Sequence, residues 1–320
     1  MLRGARRFSS VVTDDVQLAN LLYATDGLAV TITSTASRGR GVVARTPLRA
    51  GELVCSALPL ADSSLSLAAT CSPSDDLQPE ATRSRFVALW RASAPRVGRL
   101  AAGTGGRARR FPLIAAKLAA RLACEATPQQ SSLQLALAQL CAPRLELDGG
   151  KLPAEWLRDH EAISGALRSA ALEVERPTDP AGGETARWRR DAYQERKARR
   201  RRRPRPDASP ARDGDPSVDL SFFTENWYAG VVSRLHLNAM AIGPERSALF
   251  GLPSFFNHEH PPNTEVRFDD DDGRAHFIAA RDIAEGDECC ISYAHDIDDE
   301  RERRAFLHHN YGFHEAGAGG

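Results

Sequence analysis

The chain has 320 residues, 42 % hydrophobic and 26 % charged, with 42 basic residues balanced by 42 acidic ones. That length buries a sizeable core, as one large domain or two modest ones, and the balanced charge excludes a chain-wide field aimed at nucleic acid or a membrane surface. No apolar run approaches the roughly 20 residues needed to span a bilayer, which predicts a soluble chain without membrane contact. Six scattered cysteines without CxxC spacing, and no apolar signal region, predict free thiols in a reducing compartment.

In chain order, residues 1–27 open as "MLRGARRFSSVV", basic, serine-containing and acid-free until Asp14. This fits either a short mitochondrial-type targeting peptide or a frayed basic terminus. Residues 28–60 alternate β-formers with Gly and Pro and read as short strands joined by turns. From residue 79 to 175 the pattern is helical: "RFPLIAAKLAARLACEA", "SSLQLALAQLCA" and "LPAEWLRDHEAISGALRSAALEVE" carry apolar residues at three- and four-residue spacing. Residues 176–217 are rich in Arg, Pro, Gly and Asp and read as a disordered linker. The block from Arg199 to Arg203 reads either as a solvated linker or as a nuclear-import or nucleic-acid-contacting patch, a contact the reading does not require. Compartment therefore reads as nucleus or cytoplasm, with the mitochondrion as the alternative.

Order returns with "DLSFFTENWYAGVVSRLHLNAMAIG", helical up to Asn238 and β-like after it. "TEVRF", an acidic turn and "RAHFIAA" make a hairpin. "ARDIAEGDECCISY" adds a turn and a strand, and "DIDDERERRAFLHHNYGF" a helix with acid at its start. "RTPLRAGEL" echoes "ARDIAEGDE": each has an aliphatic residue, two intervening residues, glycine, then acid. The order β-rich, helical, linker, β-rich predicts one mainly β domain interrupted by an α-helical insert, an α+β fold.

The segment "FFNHEHPPN" packs Asn257, His258, His260 and Asn263 around a Pro-Pro pair directly after two phenylalanines. "NHEH" is not a zinc-protease motif, and neither His258 with His260 nor Cys289 with Cys290 has zinc-finger spacing, so no metal is expected. Ser254 lacks a nucleophile elbow, and "SRGRGVVA" lacks the third glycine and helix of a dinucleotide site.

"SRGRGVVA", "NHEHPPN", "ARDIAEGDECCISY" and "YGF", in that order, resemble the SET domain of protein lysine methyltransferases. The helical insert and "SRLHLNAMAI" resemble the split type found in SET-and-MYND proteins, here without a MYND zinc finger. The resemblance covers residues 28–60 and 222–313. It implies a β-rich pseudoknot, with the half-domains at 28–70 and 218–313, the insert at 71–175 and a tail at 314–320. It further implies S-adenosyl-L-methionine as cofactor and a protein substrate, a histone or non-histone lysine. Arg38, Gly39, Arg40 and Gly41 would form the cofactor-side loop, Asn238, Asn257 and His258 would contact the cofactor, and Phe313 would pack on its adenine. Tyr293 would be the catalytic tyrosine and Tyr311 a wall of the substrate channel. The zinc-binding cysteine cluster that follows "YGF" in many relatives is absent, and His260 stands where cysteine is common. A catalytically inactive module for peptide recognition or complex assembly is therefore the alternative.

The chemistry fits these residue types. Methyl transfer to an amine is an in-line displacement, so alignment is the main task. A lysine with pKa about 10.4 must lose a proton first, and an apolar channel beside a cation favours that loss. Tyr293 is expected to orient the amine rather than act as an obligatory base.

Overall fold

The computed structural model describes residues 16–23, 28–35, 38–65, 80–101, 110–128, 131–142, 152–175, 218–269 and 273–312. Strands β1 (Val30–Thr35), β2 (Gly39–Ala44), β3 (Leu53–Ala57) and β4 (Ala61–Asp62) precede four helices: α2 (Glu80–Ala101), α3 (Arg110–Leu122), α4 (Ser132–Gln139) and α5 (Ala154–Val174). Helix α6 (Glu225–Asn238) is followed by six strands: β5 (Ala239–Gly243), β6 (Arg246–Leu249), β7 (Asn257–His258), β8 (Thr264–Phe268), β9 (Ala275–Ala279) and β10 (Glu288–Ile291). Helix α7 (Glu300–Tyr311) ends the described chain. The α+β class expected from the sequence is the one found. No described helix is long and apolar enough to cross a membrane.

Every sheet joins strands from before and after the four helices. The orders are β1-β2-β10-β7, β3-β9-β8 and β4-β6-β5. Backbone ladders between the two halves (β2–β10, β3–β9 and β4–β6) therefore complete every sheet. The sequence echo explains the join. Leu48 and Ile283 exchange backbone hydrogen bonds of 2.8 Å in both directions. Gly51 N donates to Ala279 O (2.8 Å), and its counterpart Gly286 N donates to Ala44 O (2.9 Å). Both glycines adopt positive φ, +88° and +87°, which explains why each turn carries that residue. Two strand-turn units thus clasp each other about a local pseudo-twofold axis.

The basic stretch "MLRGARRFSSVV" lies outside the described residues, and after it helix α1 (Val16–Tyr23) docks on the sheet. The Asn20 side chain donates to Ile32 O (2.7 Å) and accepts from Ile32 N (2.8 Å), completing the edge of β1. The signal is visible afterwards: "VQLANLLY" is apolar and helical in period, with one amide at its centre.

Among the helices, α3 is buried along its whole length, its alanines letting neighbours approach closely. Lys117, on α3, is 1 % exposed and pairs with the Asp62 carboxylate of β4, which is 0 % exposed. Arg246 on β6 reaches the other Asp62 oxygen at 3.3 Å, and the Lys117 ammonium lies 5.4 Å from the centroid of the Trp90 ring. Burial pushes the Lys117 pKa down, against the opposing pull of Asp62. Helices α4, α6 and α7 start at side-chain caps, where Ser131, Thr224 and Asp299 accept from Gln134, Trp227 and Glu302 backbone N–H groups.

Candidate active site

One sheet collects three of the sequence motifs. Strand β10 lies between β2 and β7, antiparallel to the first and parallel to the second. This sets "GRG" of β2 beside "ECCI" of β10 and "NH" of β7, with Cys290 opposite Asn257 and Ile291 opposite His258. The phenylalanines before β7 anchor the arrangement. Phe256 stacks on Phe277 with ring centroids 4.5 Å apart, and Phe255 packs on Tyr23 at 5.5 Å and under the Arg40 guanidinium at 4.9 Å. The main chain after β7 turns through a cis His260–Pro261 bond into Asn263. The buried Asn263 carboxamide then accepts from Cys290 N (2.7 Å) and donates to Glu288 O (2.8 Å), tying the exit of β7 to β10.

His258 is buried, and its Nδ1 accepts from the backbone N–H of Tyr293 at 3.1 Å. In the neutral ring that leaves the proton on Nε2. The Tyr293 hydroxyl donates to Phe256 O at 2.7 Å. Its ring lies 4.7 Å from Tyr311, 5.4 Å from His258, and Tyr311 in turn is 6.2 Å from Phe306. Burial is the main force raising the Tyr293 pKa above the ordinary tyrosine value, with the neighbouring Tyr311 next. The hydroxyl therefore stays neutral. Its proton is committed to the Phe256 carbonyl.

Asn257 donates both amide protons inward, to Arg40 O (3.1 Å) and to the Glu288 carboxylate (2.6 Å). Asn238, the last residue of α6, does the same towards Cys141 O and Arg234 O, each at 2.7 Å. Two carboxamides whose N–H groups are spent on protein acceptors have only oxygens left. Arg38 donates to His258 O and to Cys290 Sγ, both at 3.2 Å, and lies 3.7 Å from Glu288. Burial, with Glu288 beside it, pushes the Cys290 thiol up to about 12. Gly39 has φ +79° and nothing within 4 Å of where a side chain would start. Gly41 differs: a Cβ there would lie 2.2 Å from the Glu288 carboxylate.

The last turn of α4 forms a neighbouring wall. Arg40 donates to the Gln139 side-chain oxygen (3.1 Å) and main-chain oxygen (2.5 Å), two residues before the carbonyl held by Asn238. Tyr23 donates to Ala136 O (2.7 Å) and the Trp227 indole to Gln134 (2.9 Å). Helix α4 is thereby pinned by α1, β2 and α6 together.

Thus Arg38, Gly39, Arg40, Gly41, Asn257, His258, Tyr293 and Tyr311 come together around one sheet edge, and Asn238 joins them through the segment after α4. Phe313 and the block from Arg199 to Arg203 lie outside the described residues. Sequence reasoning missed Glu288 and Gln139. Glu288 stood inside a quoted motif as an acid at a strand start, a hint without a partner. Gln139 is an amide ending an Ala/Leu helix, and its partner is 99 residues away in sequence. Among the described residues no cluster of His, Cys, Asp and Glu could hold a metal.

The donor set suits the cofactor implied by the motifs. The carboxamide oxygens of Asn238 and Asn257 are acceptors, matched to a ligand bearing a sulfonium and an ammonium group.

A family model described as the SET domain matches residues 39–294. A SET and MYND domain-containing protein of Dictyostelium discoideum is 35 % identical over 104 residues, covering 28 % of this chain and 30 % of the relative. The histone-lysine N-methyltransferase ATXR4 of Arabidopsis thaliana is 27 % identical over 118 residues, 30 % of this chain and 36 % of the relative. The human protein-lysine N-trimethyltransferase SMYD5 is 40 % identical over 72 residues, 22 % and 17 % of the two chains. Each match thus spans little more than a third of the relative, or less. The solved structure of Rubisco LSMT bound to AdoMet is 13 % identical with a TM-score of 0.44, covering 98 % of this chain and 57 % of that one.

Proposed function

The chain belongs to the SET-domain family, and from that premise we propose that it is a protein-lysine N-methyltransferase that uses S-adenosyl-L-methionine. The observation that carries the reading is Tyr293: a neutral hydroxyl, its proton given to Phe256 O at 2.7 Å, set beside Tyr311 and His258. When bound, S-adenosylmethionine supplies an electrophilic methyl group on a sulfonium sulfur. The residues that would hold it are the main chain of Arg38 to Gly41, His258, and the carboxamide oxygens of Asn238 and Asn257.

Beside the rings of Tyr293, Tyr311 and Phe306 an entering lysine would lose water and meet the positive charge of the sulfonium, so it tends to shed its proton. The Tyr293 oxygen can accept from the remaining N–H and so aim the nitrogen lone pair. With its own pKa raised, Tyr293 supplies almost no phenolate near neutrality, which supports orientation and not proton abstraction as its role. Protein is the substrate class; the particular lysine is set by surfaces beyond these residues.

Calorimetric titration with S-adenosylmethionine, followed by transfer of radiolabelled methyl into a proteome extract, tests the proposal. Wild type should bind and transfer. Tyr293→Phe should bind with similar affinity and transfer poorly. Folded protein that fails to bind would remove the enzyme reading, and a Tyr293→Phe variant as active as wild type would remove the role given to that hydroxyl.

A further inference from the structure

Glu288 has three separate attachments at the site, none of which follows from its place in a strand. Its Oε1 accepts from Asn257 Nδ2 at 2.6 Å. Its Oε2 faces Arg38 at 3.7 Å. Its main-chain oxygen accepts from Asn263 at 2.8 Å, which fixes the backbone from which the side chain springs. One carboxylate thus links β10 to β7 and to the turn before β2. Strand β2 makes room for it: at Gly41, a Cβ would stand 2.2 Å from Oε1 and 3.0 Å from Asn257 Nδ2. The absence of a side chain at Gly41 is therefore explained by Glu288 as much as by any ligand.

The Arg38–Glu288 pair is partly exposed, with side chains 41 % and 20 % accessible, and such pairs add little stability. Orientation is another matter. A carboxamide can sit either way round, and its two ends are nearly the same size. Here the Nδ2 end meets two acceptors, Arg40 O and a carboxylate. Turning the amide over would set oxygen against both. The charged partner makes that preference strong, because charge-assisted hydrogen bonds are about twice as strong as neutral ones.

We propose that Glu288 is a positioning residue for the cofactor: it locks the Asn257 carboxamide so that only the oxygen is left to meet the ligand. This rests on the methyltransferase reading above. Without the lock, Asn257 would present a donor part of the time and reject the donor groups of the cofactor.

The test uses the full chain. Glu288→Gln keeps the length of the side chain but lets the amide pair settle in either polarity, since glutamine can donate to the Asn257 oxygen. Its dissociation constant for S-adenosylmethionine should rise about tenfold while its unfolding midpoint stays near wild type. Gly41→Ala, which pushes the carboxylate off Asn257, should weaken binding similarly, and the two changes together should cost no more than one. Asn257→Ala combined with Glu288→Gln should likewise be no weaker than Asn257→Ala alone. In ligand-free protein, the side-chain amide signals of Asn257 in a nitrogen-15 spectrum should move in Glu288→Gln. Wild-type affinity in Glu288→Gln, fully additive losses, or unmoved amide signals would each overturn the assignment. Failure of wild type to bind would overturn the methyltransferase reading instead, and the amide signals would still decide whether Glu288 orients Asn257.

Discussion

Replacing Lys117 by methionine removes the ammonium from a place where water cannot substitute for it. Methionine is close in length and packs on Trp90, so the change isolates charge from volume. Asp62 then remains 0 % exposed with Arg246 at 3.3 Å as its charged neighbour. Stranding one partner of a buried ion pair costs about 3–5 kcal/mol. Loss of the ammonium over Trp90 removes a cation–π contact that runs to about 2 kcal/mol when desolvated. Relief from burying the lysine offsets part of this, because desolvation is the largest influence on Lys117. The expected net loss is about 3–5 kcal/mol, read as a fall in urea midpoint at constant slope. The double variant Lys117→Met, Asp62→Leu should return to within about 1 kcal/mol of wild type, since the pair as a whole gains little over an apolar replacement. Arg246 is 35 % exposed and can reach water once Asp62 is gone. A single-variant loss below about 1 kcal/mol, or a double variant as unstable as the single, would refute the argument.

Four further outcomes follow from other parts of the fold. Gly51→Ala and Gly286→Ala should each cost about 1–2 kcal/mol and by similar amounts, because both residues sit at almost the same positive φ in matching turns; unequal losses in denaturant titrations would argue against the pseudo-twofold clasp. Asn263→Ala should cost about 2–3 kcal/mol by thermal unfolding, since it leaves the buried Cys290 N–H without its acceptor and Glu288 O without its donor. In native protein at pH 8, iodoacetamide followed by peptide mass spectrometry should modify the exposed Cys141 and spare Cys55, Cys124, Cys289 and Cys290, which are buried and, by that burial, raised to about 12. For these four thiols the folded pKa lies above the ordinary value near 9. Their contribution to stability is therefore complete below pH 9 and is lost as pH rises towards 12, visible as a falling denaturation midpoint across that window.

The sequence by itself determined what depends on neighbours along the chain. Periodicity marks α3, α5 and α6, alternation and turn residues mark β8 and β9, and the glycines of the two echoing turns are demanded by local backbone conformation. The order of four motifs was enough to imply a family and to nominate Asn257, His258 and Tyr293. The apolar period of "VQLANLLY" is local, but that helix α1 docks on β1 follows only from the bonds of Asn20 with Ile32. Tertiary structure alone decided which groups are used up and which are left over. Whether Asn257 donates or accepts depends on Arg40 and Glu288, 217 and 31 residues away. Whether Gln139 belongs to the site depends on Arg40, and whether Tyr293 is acid, base or orienter depends on a carbonyl at Phe256 and on its burial. Hydrogen-bond capacity is written in the residue type, but its direction is set by partners that only the folded chain brings into bonding distance.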